Sequence, residues 1–428
     1  MRYASLLGKT LREDPHGIRS PSYALLVKAG YIRQLGQGLF TFLPLGMRVL
    51  KNIQRIIAEE MDAIGGQEIY APVVTPAEIW RQSGRRAWIR ELIQFQDRHG
   101  RELVLSPTHE EAFVEVVRDA LSSYRELPLL LYQFQIKFRD EERPKDGLVR
   151  TREIYMHDGY SFHRSYQDLN NFFPKLFKAY RRIFERCGIP TMAAEAGVGY
   201  IGGEKSYEFL MPADSGDHAL IACGKCQYCA SKEVAIGGKE YLRGEPLSLE
   251  KVSTPDCATI EALAECLGVP KQRIAKSLVC LTPAGLVMAV VRGDFELAPE
   301  KLSAYLKVPV LGMAGDEELA SAGLAPGYLS PIGLNRAIRV VVDDAVARSA
   351  NLVYGANEFG FHLLNGNFGR DYESPDVADI ALTRGEKICL QCGGTLREIR
   401  AVEVGHIFKL GDYYTRTMNL AFRDERGK

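Results

Sequence analysis

The stretch FRDEERPKDGLVRTREIYMHDGYSFH, Phe138 to His163, decides how this chain is read. Just before it, Tyr132, Phe134, Ile136 and Phe138 alternate with Gln133, Gln135, Lys137 and Arg139, the period-2 pattern of a half-buried strand. The run Arg143-Pro-Lys-Asp-Gly is turn chemistry. A second strand then sets Arg152, Ile154, Met156, Asp158 and Tyr160 on one face. Such a hairpin offers Arg139, Arg150 and Arg152 beside a carboxylate, on strands rather than loose loops. Arginine suits that setting because its planar fork grips phosphate oxygens bidentately and stays charged. A solvated hairpin with charged edges satisfies the same pattern.

With 428 residues the chain is long enough for two or three domains. Its 46% hydrophobic and 25% charged content is that of ordinary globular protein. Lys+Arg and Asp+Glu both number 54, so no global basic field points to nucleic acid, and any such contact must come from local patches. No apolar run approaches the ~20 residues of a membrane span, and the N-terminus lacks a signal-peptide core. The cytosol is the expected compartment. Nine cysteines, several in Cys-x-x-Cys spacing, fit a reducing compartment and a metal better than disulfides.

Met47, Leu50, Ile53, Ile57, Met61 and Ile64 mark an amphipathic helix. Gln67 to Val74 reads as a strand carrying Pro72, which suits an edge or a strand end. Thr108 to Ala120 and Leu169 to Phe184 read as helices, the second despite Pro174. After Ala235 the character changes. A helix near Ile260 to Leu267 and strands at Ser277 to Leu281 and Leu286 to Arg292 precede a helix near Pro299 to Leu306. Strands at Ile338 to Asp343 and near Phe361 to Leu364 follow. These make residues 246–382 an inserted α/β domain, and the first domain resumes at Val402 to Leu410.

Two Cys-x-x-Cys knuckles, Cys223/Cys226 and Cys389/Cys392, flank that insertion. Paired knuckles are the strong form of a tetrahedral structural zinc site. Cys226 and Cys389 lie too far apart for a local zinc ribbon, but the ends of an inserted domain come close together. Cys229 is a spare sulfur that could replace Cys226, and reduced thiols without metal remain the alternative. Cys187, Cys257, Cys266 and Cys280 read as small buried apolar residues.

The run FRDEERP, then RTRE, then DGYSFH, resembles motif 2 of class II aminoacyl-tRNA synthetases, and in its details the bacterial-type prolyl-tRNA synthetases. The likeness extends to QLGQGLFTFLPLG from Gln34, APVVTPAEIW from Ala71, SPTHEEAF from Ser106, IGGEKSYEF from Ile201 and GHIFKLG from Gly405. The fold it implies is α/β (α+β): an antiparallel-sheet catalytic domain over residues 1–245, an inserted editing domain over 246–382, and the catalytic domain resumed over 383–428. It also implies ATP with Mg2+, proline and tRNA(Pro) as ligands and a homodimer built through motif 1, the helix and strand of residues 47–74.

By the same resemblance Arg139 takes the α-phosphate, Arg150 and Arg152 the outer phosphates, and Glu141 the adenine amino group. Glu208 corresponds to the acid that helps hold ATP-bound magnesium. Ile154 stands where the family usually carries the phenylalanine that stacks adenine. Thr108 and Glu110 would grip the cationic amine of proline, although a helix N-cap with an acidic first turn reads the same way. Met156, Asp158, Tyr160 and His163 line the implied proline pocket, and Gly405 and His406 close it.

The insertion resembles editing modules related to deacylases of mischarged tRNA, through Lys276, Asp294, Asp343 and His362. A pocket sized for proline rejects alanine poorly, because small apolar differences are worth only ~1–3 kcal/mol. Hydrolysis of Ala-tRNA(Pro) at a second site repairs the error. Taken singly, each of these four is an ordinary solvated or structural residue. The chain stops at Arg423-Asp-Glu-Arg-Gly-Lys, which reads as a turn before the family's motif 3 and anticodon-binding domain, so a C-terminally shortened ligase is expected. An editing deacylase, or a non-catalytic module that binds tRNA or another synthetase, is the alternative.

Overall fold

In the computed structural model, which describes residues 3–13, 15–87, 89, 91–334 and 338–427, the deciding stretch is half of a long antiparallel hairpin. Its strands are Leu129–Phe138 and Glu153–Phe162, paired from Leu129↔Phe162 to Phe138↔Glu153. Asp146 and Gly147 both take positive φ in the connection, which the Lys145–Arg150 bridge closes. The alternation along the first strand is as expected, but from Gln133 onward its burial is inverted. Gln133, Gln135 and Lys137 are buried, whereas Phe134, Ile136 and Phe138 are only partly so. Polar side chains survive inside because each finds a partner there.

The hairpin belongs to a unit of Met1–Thr191, Tyr200–Glu204 and Ile407–Lys428. The strand Gly66–Glu68 adds in parallel to its first strand. The single strand expected over residues 67–74 is interrupted, for Val74–Pro76 joins a different sheet with Glu102–Leu105 and Ile93–Gln96. The intervening backbone is satisfied by side chains instead. Gln133 accepts from Ala71 N–H at 2.9 Å, and Gln135 donates to the Ala71 carbonyl at 2.6 Å. Pro72, which has no N–H to give a ladder, sits in that interruption.

The helix expected from Met47 runs Pro44–Asp62. Glu60 near its end holds Arg182 at 2.6 Å and Arg186 at 2.9 Å, both on the helix Tyr166–Arg186. Ser165 caps that second helix through Asp168 N–H. Helix Glu110–Arg118 buries Phe113, Val114 and Val117.

The other unit is Met192–Gly199 and Lys205–His406. Strands Met192–Ala196, Lys205–Pro212, His218–Cys223, Cys229–Ser231 and Leu396–Lys409 form a closed barrel. Ala275–Thr282, Gly285–Arg292, Arg339–Asp343 and Asp376–Ala378, with Gly312–Met313 at one edge, form a five-stranded mixed sheet. Helix Pro299–Leu306 lies in the core on one of its faces, through Leu302 and Leu306 against Val287, Ala289 and Val291. Helix Ile260–Leu267 starts on Thr259, whose hydroxyl accepts from Ala262 N–H, and ends on Gly268 in the left-handed conformation. Glu250–Ser253, Phe361–Gly366 and Leu352–Gly355 make a further three-stranded sheet. Among the described residues no helix is long and apolar enough to cross a membrane.

Candidate active site

The buried polar face of the hairpin meets the start of helix Glu110–Arg118. Lys137 Nζ lies 2.7 Å from Asp158 Oδ1 and 2.6 Å from His109 Nδ1. Gln133 donates to the other Asp158 oxygen at 3.0 Å. The second ring nitrogen of His109 lies 3.0 Å from the Pro72 carbonyl. A carbonyl only accepts, so His109 carries its proton on Nε2 and accepts from Lys137 at Nδ1. Burial, and then the Lys137 charge, push His109 down to about 4, so its ring is neutral near pH 7. Burial also lowers Lys137, against the opposing pull of Asp158.

Thr108 is not the helix cap, a position that His109 occupies. Its hydroxyl lies 2.8 and 2.7 Å from the two oxygens of Glu110. Tyr160 accepts from His109 N–H at 3.0 Å, and burial with the nearby Asp158 and Glu110 carboxylates holds its phenol well above the usual range. The structure therefore brings Thr108, Glu110, Asp158 and Tyr160 together. Met156 shares their strand face, opposite Gln135. His163 is not part of this group. It lies past the strand end, with Nε2 2.9 Å from Ser161 Oγ, Nδ1 3.6 Å from Asp168, and its ring 5.1 Å from that of Phe172.

The arginines cluster at the open end of the same hairpin. Arg139 Nε lies 3.5 Å from the Pro107 carbonyl, and its backbone N–H donates to the Arg152 carbonyl at 2.8 Å. Arg150 Nε pairs with Glu141 at 2.8 Å, and Arg152 Nε donates to the Glu141 carbonyl at 3.1 Å. Burial raises Glu141, but Arg150 and the Arg143 N–H outweigh it and hold the carboxylate below its ordinary range. Ile154 faces Lys137 across the ladder.

Gly405, His406 and Glu208 fall in the barrel-bearing unit. His406 Nδ1 lies 3.3 Å from Glu403 and 3.8 Å from Glu208, while His218 lies 3.7 Å from Glu403. Burial, then the Glu403 and Glu233 charges, raise Glu208 to about 8. Glu208, His218 and Glu403 each offer a ligand atom within 4.8 Å of the others.

In the same unit Cys223, Cys226, Cys389 and Cys392 converge, all four sulfurs within 4.8 Å of one another. Lys225 N–H points at Cys223 Sγ at 3.3 Å and Tyr228 N–H at Cys226 Sγ at 3.5 Å. The Lys225 and Cys226 N–H groups draw Cys223 down, whereas, against the pull of the Tyr228 N–H, sharing protons with the other three thiols pushes Cys226 up. Cys229 stands outside the four, in the barrel strand, where burial lifts it to about 11.

The same unit also holds an open cavity of about 390 Å³. Lys276 and His362 both line it, with Thr259, Ser277 and a largely apolar wall. Thr254 Oγ lies 2.7 Å from His362 Nδ1 and fixes the ring, and burial pushes His362 down to about 4. Burial also lowers Lys276. Asp294 and Asp343 are not among the lining residues described. Asp294 clasps Arg292 through both oxygens, at 2.7 and 2.9 Å. Asp343 caps the short helix Asp344–Ala347, accepts from Ile380 N–H at 3.0 Å, and pairs with Lys239 at 2.9 Å. Both aspartates thus pair with cations of their own unit, Asp294 with Arg292 and Asp343 with Lys239.

Residues 93–428 match the model of the tRNA synthetase class II core domain (G, H, P, S and T). The whole chain is 43% identical to the proline–tRNA ligase of Dehalococcoides mccartyi strain 195, over 75% of that protein. The chain belongs to the proline–tRNA ligase family. A family member from Thermotoga maritima is likewise 43% identical, over the full chain and 74% of its own length. A solved structure, Giardia lamblia prolyl-tRNA synthetase in complex with prolyl-adenylate, is a looser likeness, with TM-score 0.41 and 22% identity over 45% of this chain and 41% of that one. Family membership makes the protein a class II aminoacyl-tRNA synthetase, a ligase, with the mixed α/β fold and antiparallel sheets expected from sequence.

Sequence alone does not single out His109, Lys137, Gln133 or Arg85. Lys137 and Gln133 read there only as the polar half of an alternation. A lysine directly opposite the Asp158 face of the partner strand was the available signal. Arg85, in the short helix Arg85–Ala87, carried no signal beyond its charge.

Proposed function

We propose that this chain activates proline with ATP to prolyl-adenylate and passes the prolyl group to tRNA(Pro). The observation that carries this reading is the buried polar face where Thr108, Glu110, Asp158 and Tyr160 meet. Thr108 and Glu110 take the cationic secondary amine. Met156, Asp158 and Tyr160 frame the ring. The proline carboxylate then attacks the α-phosphorus and pyrophosphate leaves. Arg139 stabilises the charge that builds on the α-phosphate, and Arg150 and Arg152 orient the outer phosphates. Glu141 receives the adenine amino group once Arg150 turns to phosphate. Within the other unit, Glu208, His218 and Glu403 offer ligand atoms close enough together to hold a divalent cation.

The test is ATP–pyrophosphate exchange that depends on proline. Thr108→Ala and Glu110→Gln should each raise the proline KM at least tenfold with little change in the ATP KM. Equal proline KM values in both variants would remove these residues from the amine site. A chain with no proline-dependent exchange would remove the ligase reading for this protein.

A second activity is supported by the cavity. Residues 246–382 form an editing module in which Lys276 binds the terminal adenosine or its phosphates and His362 shapes the aminoacyl pocket, hydrolysing Ala-tRNA(Pro). Asp294 and Asp343 support that module from outside the cavity. Deacylation of Ala-tRNA(Pro) without exchange activity would leave this as the function. Binding to tRNA or to another synthetase without either activity would mark a non-catalytic module. The four converging cysteines fit a structural Zn2+ by donor type and spacing, and the helix Pro44–Asp62, with Met47 and Val49 exposed, fits a homodimer face. The compartment that suits this chemistry is the cytoplasm.

A further inference from the structure

Glu110 does not stand alone beneath the amine position. Arg85 is fully buried, and its Nη1 lies 3.1 Å from Glu110 and 3.0 Å from Glu111. Its guanidinium carbon lies 5.4 Å from the Trp80 ring centroid and 5.3 Å from that of Tyr414, within reach of both π faces. Ser83 Oγ donates to Glu111 at 2.7 Å, and the Ser83 carbonyl accepts from the Tyr413 hydroxyl at 2.7 Å. Trp80 is itself fixed by its indole N–H, which donates to Thr75 at 3.0 Å.

Two adjacent acids thus share one base in a site closed to water. A lone buried ion pair would need only one of them. Glu111, which also accepts from Ser83, holds the guanidinium from its other side, and burial raises Glu111 above the ordinary carboxylate range. The guanidinium also fixes where the carboxylate points. Arg85 Nη1 and Thr108 Oγ both approach Glu110 Oε2, at 3.1 and 2.7 Å, and this leaves Oε1 turned to Thr108 alone among its described partners.

We propose that Arg85 is a positioning residue of the amino-acid site: held by Trp80, Tyr414 and Glu111, it orients Glu110 to receive the cationic amine. The inference rests on the reading of Thr108 and Glu110 as the amine site and names a residue that acts behind them. Arg85 does not touch the substrate in this scheme.

The experiment compares two ligands by calorimetry: a non-hydrolysable prolyl-adenylate analogue, and its isostere in which a methylene replaces the ring amine. Wild type should prefer the amine-bearing ligand. In Arg85→Met that preference should fall about ten- to hundredfold, the range for losing one charge-assisted hydrogen bond, while the isostere binds as before. Arg85→Lys should keep part of the preference. If Arg85→Met fails to fold, Arg85→Lys and guanidinium rescue of Arg85→Ala decide, and rescue should restore the preference in proportion to guanidinium concentration. Folded variants that keep the wild-type preference would overturn the role of Arg85 while leaving the amine site intact. A wild type without any preference for the amine would overturn the amine site, and this inference with it. Equal weakening of both ligands would assign Arg85 a merely structural part and overturn the proposal.

Discussion

Replacing Lys137 by methionine should destabilise the unit that contains the hairpin by about 3–5 kcal/mol, the range for breaking a buried pair from one side. Methionine nearly matches the lysine stem in volume, so little cavity forms and the loss is electrostatic. Lys137 is 0% exposed, and its ammonium serves Asp158 at 2.7 Å and His109 at 2.6 Å. Without it Asp158 keeps the Gln133 amide at 3.0 Å, one neutral donor for a buried carboxylate. Against a total stability of about 5–15 kcal/mol for a domain, the loss is large enough to read directly. Both tryptophans, Trp80 and Trp88, lie in the first 191 residues, so urea unfolding followed by their fluorescence reports this unit. Lys137→Met/Asp158→Asn should recover at least half of the loss, because both members of the pair are then neutral. In Lys137→Met alone, the His109 ring signal in NMR should titrate above its starting value of about 4, since part of that depression is the Lys137 charge. A single-variant loss below about 1 kcal/mol, or a double variant no better than the sum of the two singles, would refute the buried-pair account.

His109 and His362 both sit near 4 in the folded chain, below an unfolded value of about 6.5. Their neutral forms are the ones the fold accepts, so their contribution is complete above pH ~6.5 and is lost as pH falls from there toward ~4. The full effect is about 3 kcal/mol for each. His109→Gln and His362→Gln should therefore flatten the fall in urea midpoint between pH 6.5 and 4.5, and unchanged slopes in both would rule the neutral rings out. Cys226→Ser should reduce bound zinc from one equivalent to less than half by elemental analysis, whereas Cys229→Ser should retain it; the opposite order would exchange their roles. Lys276→Ala should slow Ala-tRNA(Pro) deacylation more than tenfold at unchanged melting temperature, and His362→Ala should slow it as much while also lowering the melting temperature, because the buried ring loses its Thr254 partner. Asp294→Asn should instead lower the melting temperature by unpinning Arg292, and a deacylation loss without any thermal shift would place Asp294 in the chemistry after all.

Much of the local structure follows from neighbours in sequence. The helices Ile260–Leu267 and Pro299–Leu306 begin and end where their periodicity says, because Thr259, Gly268 and Pro299 punctuate them chemically. The two cysteine knuckles are equally legible, since the spacing of each pair is a local property. The family, too, is written in the order of short motifs along the chain. What sequence alone could not set is which half of an alternation faces inward. Tyr132 to Lys137 reads as apolar-in, yet Gln133, Gln135 and Lys137 are buried, since Ala71, Asp158 and His109 wait there to pair with them. Nor could it show that Lys276 and His362 share a cavity, or that Asp294 pairs with Arg292 and Asp343 with Lys239. Burial of a charge depends on partners brought from distant positions, and only the tertiary structure supplies them. The hairpin's alternation was determined by its residues; its role as a platform of buried, paired polar groups was decided by what folds against it.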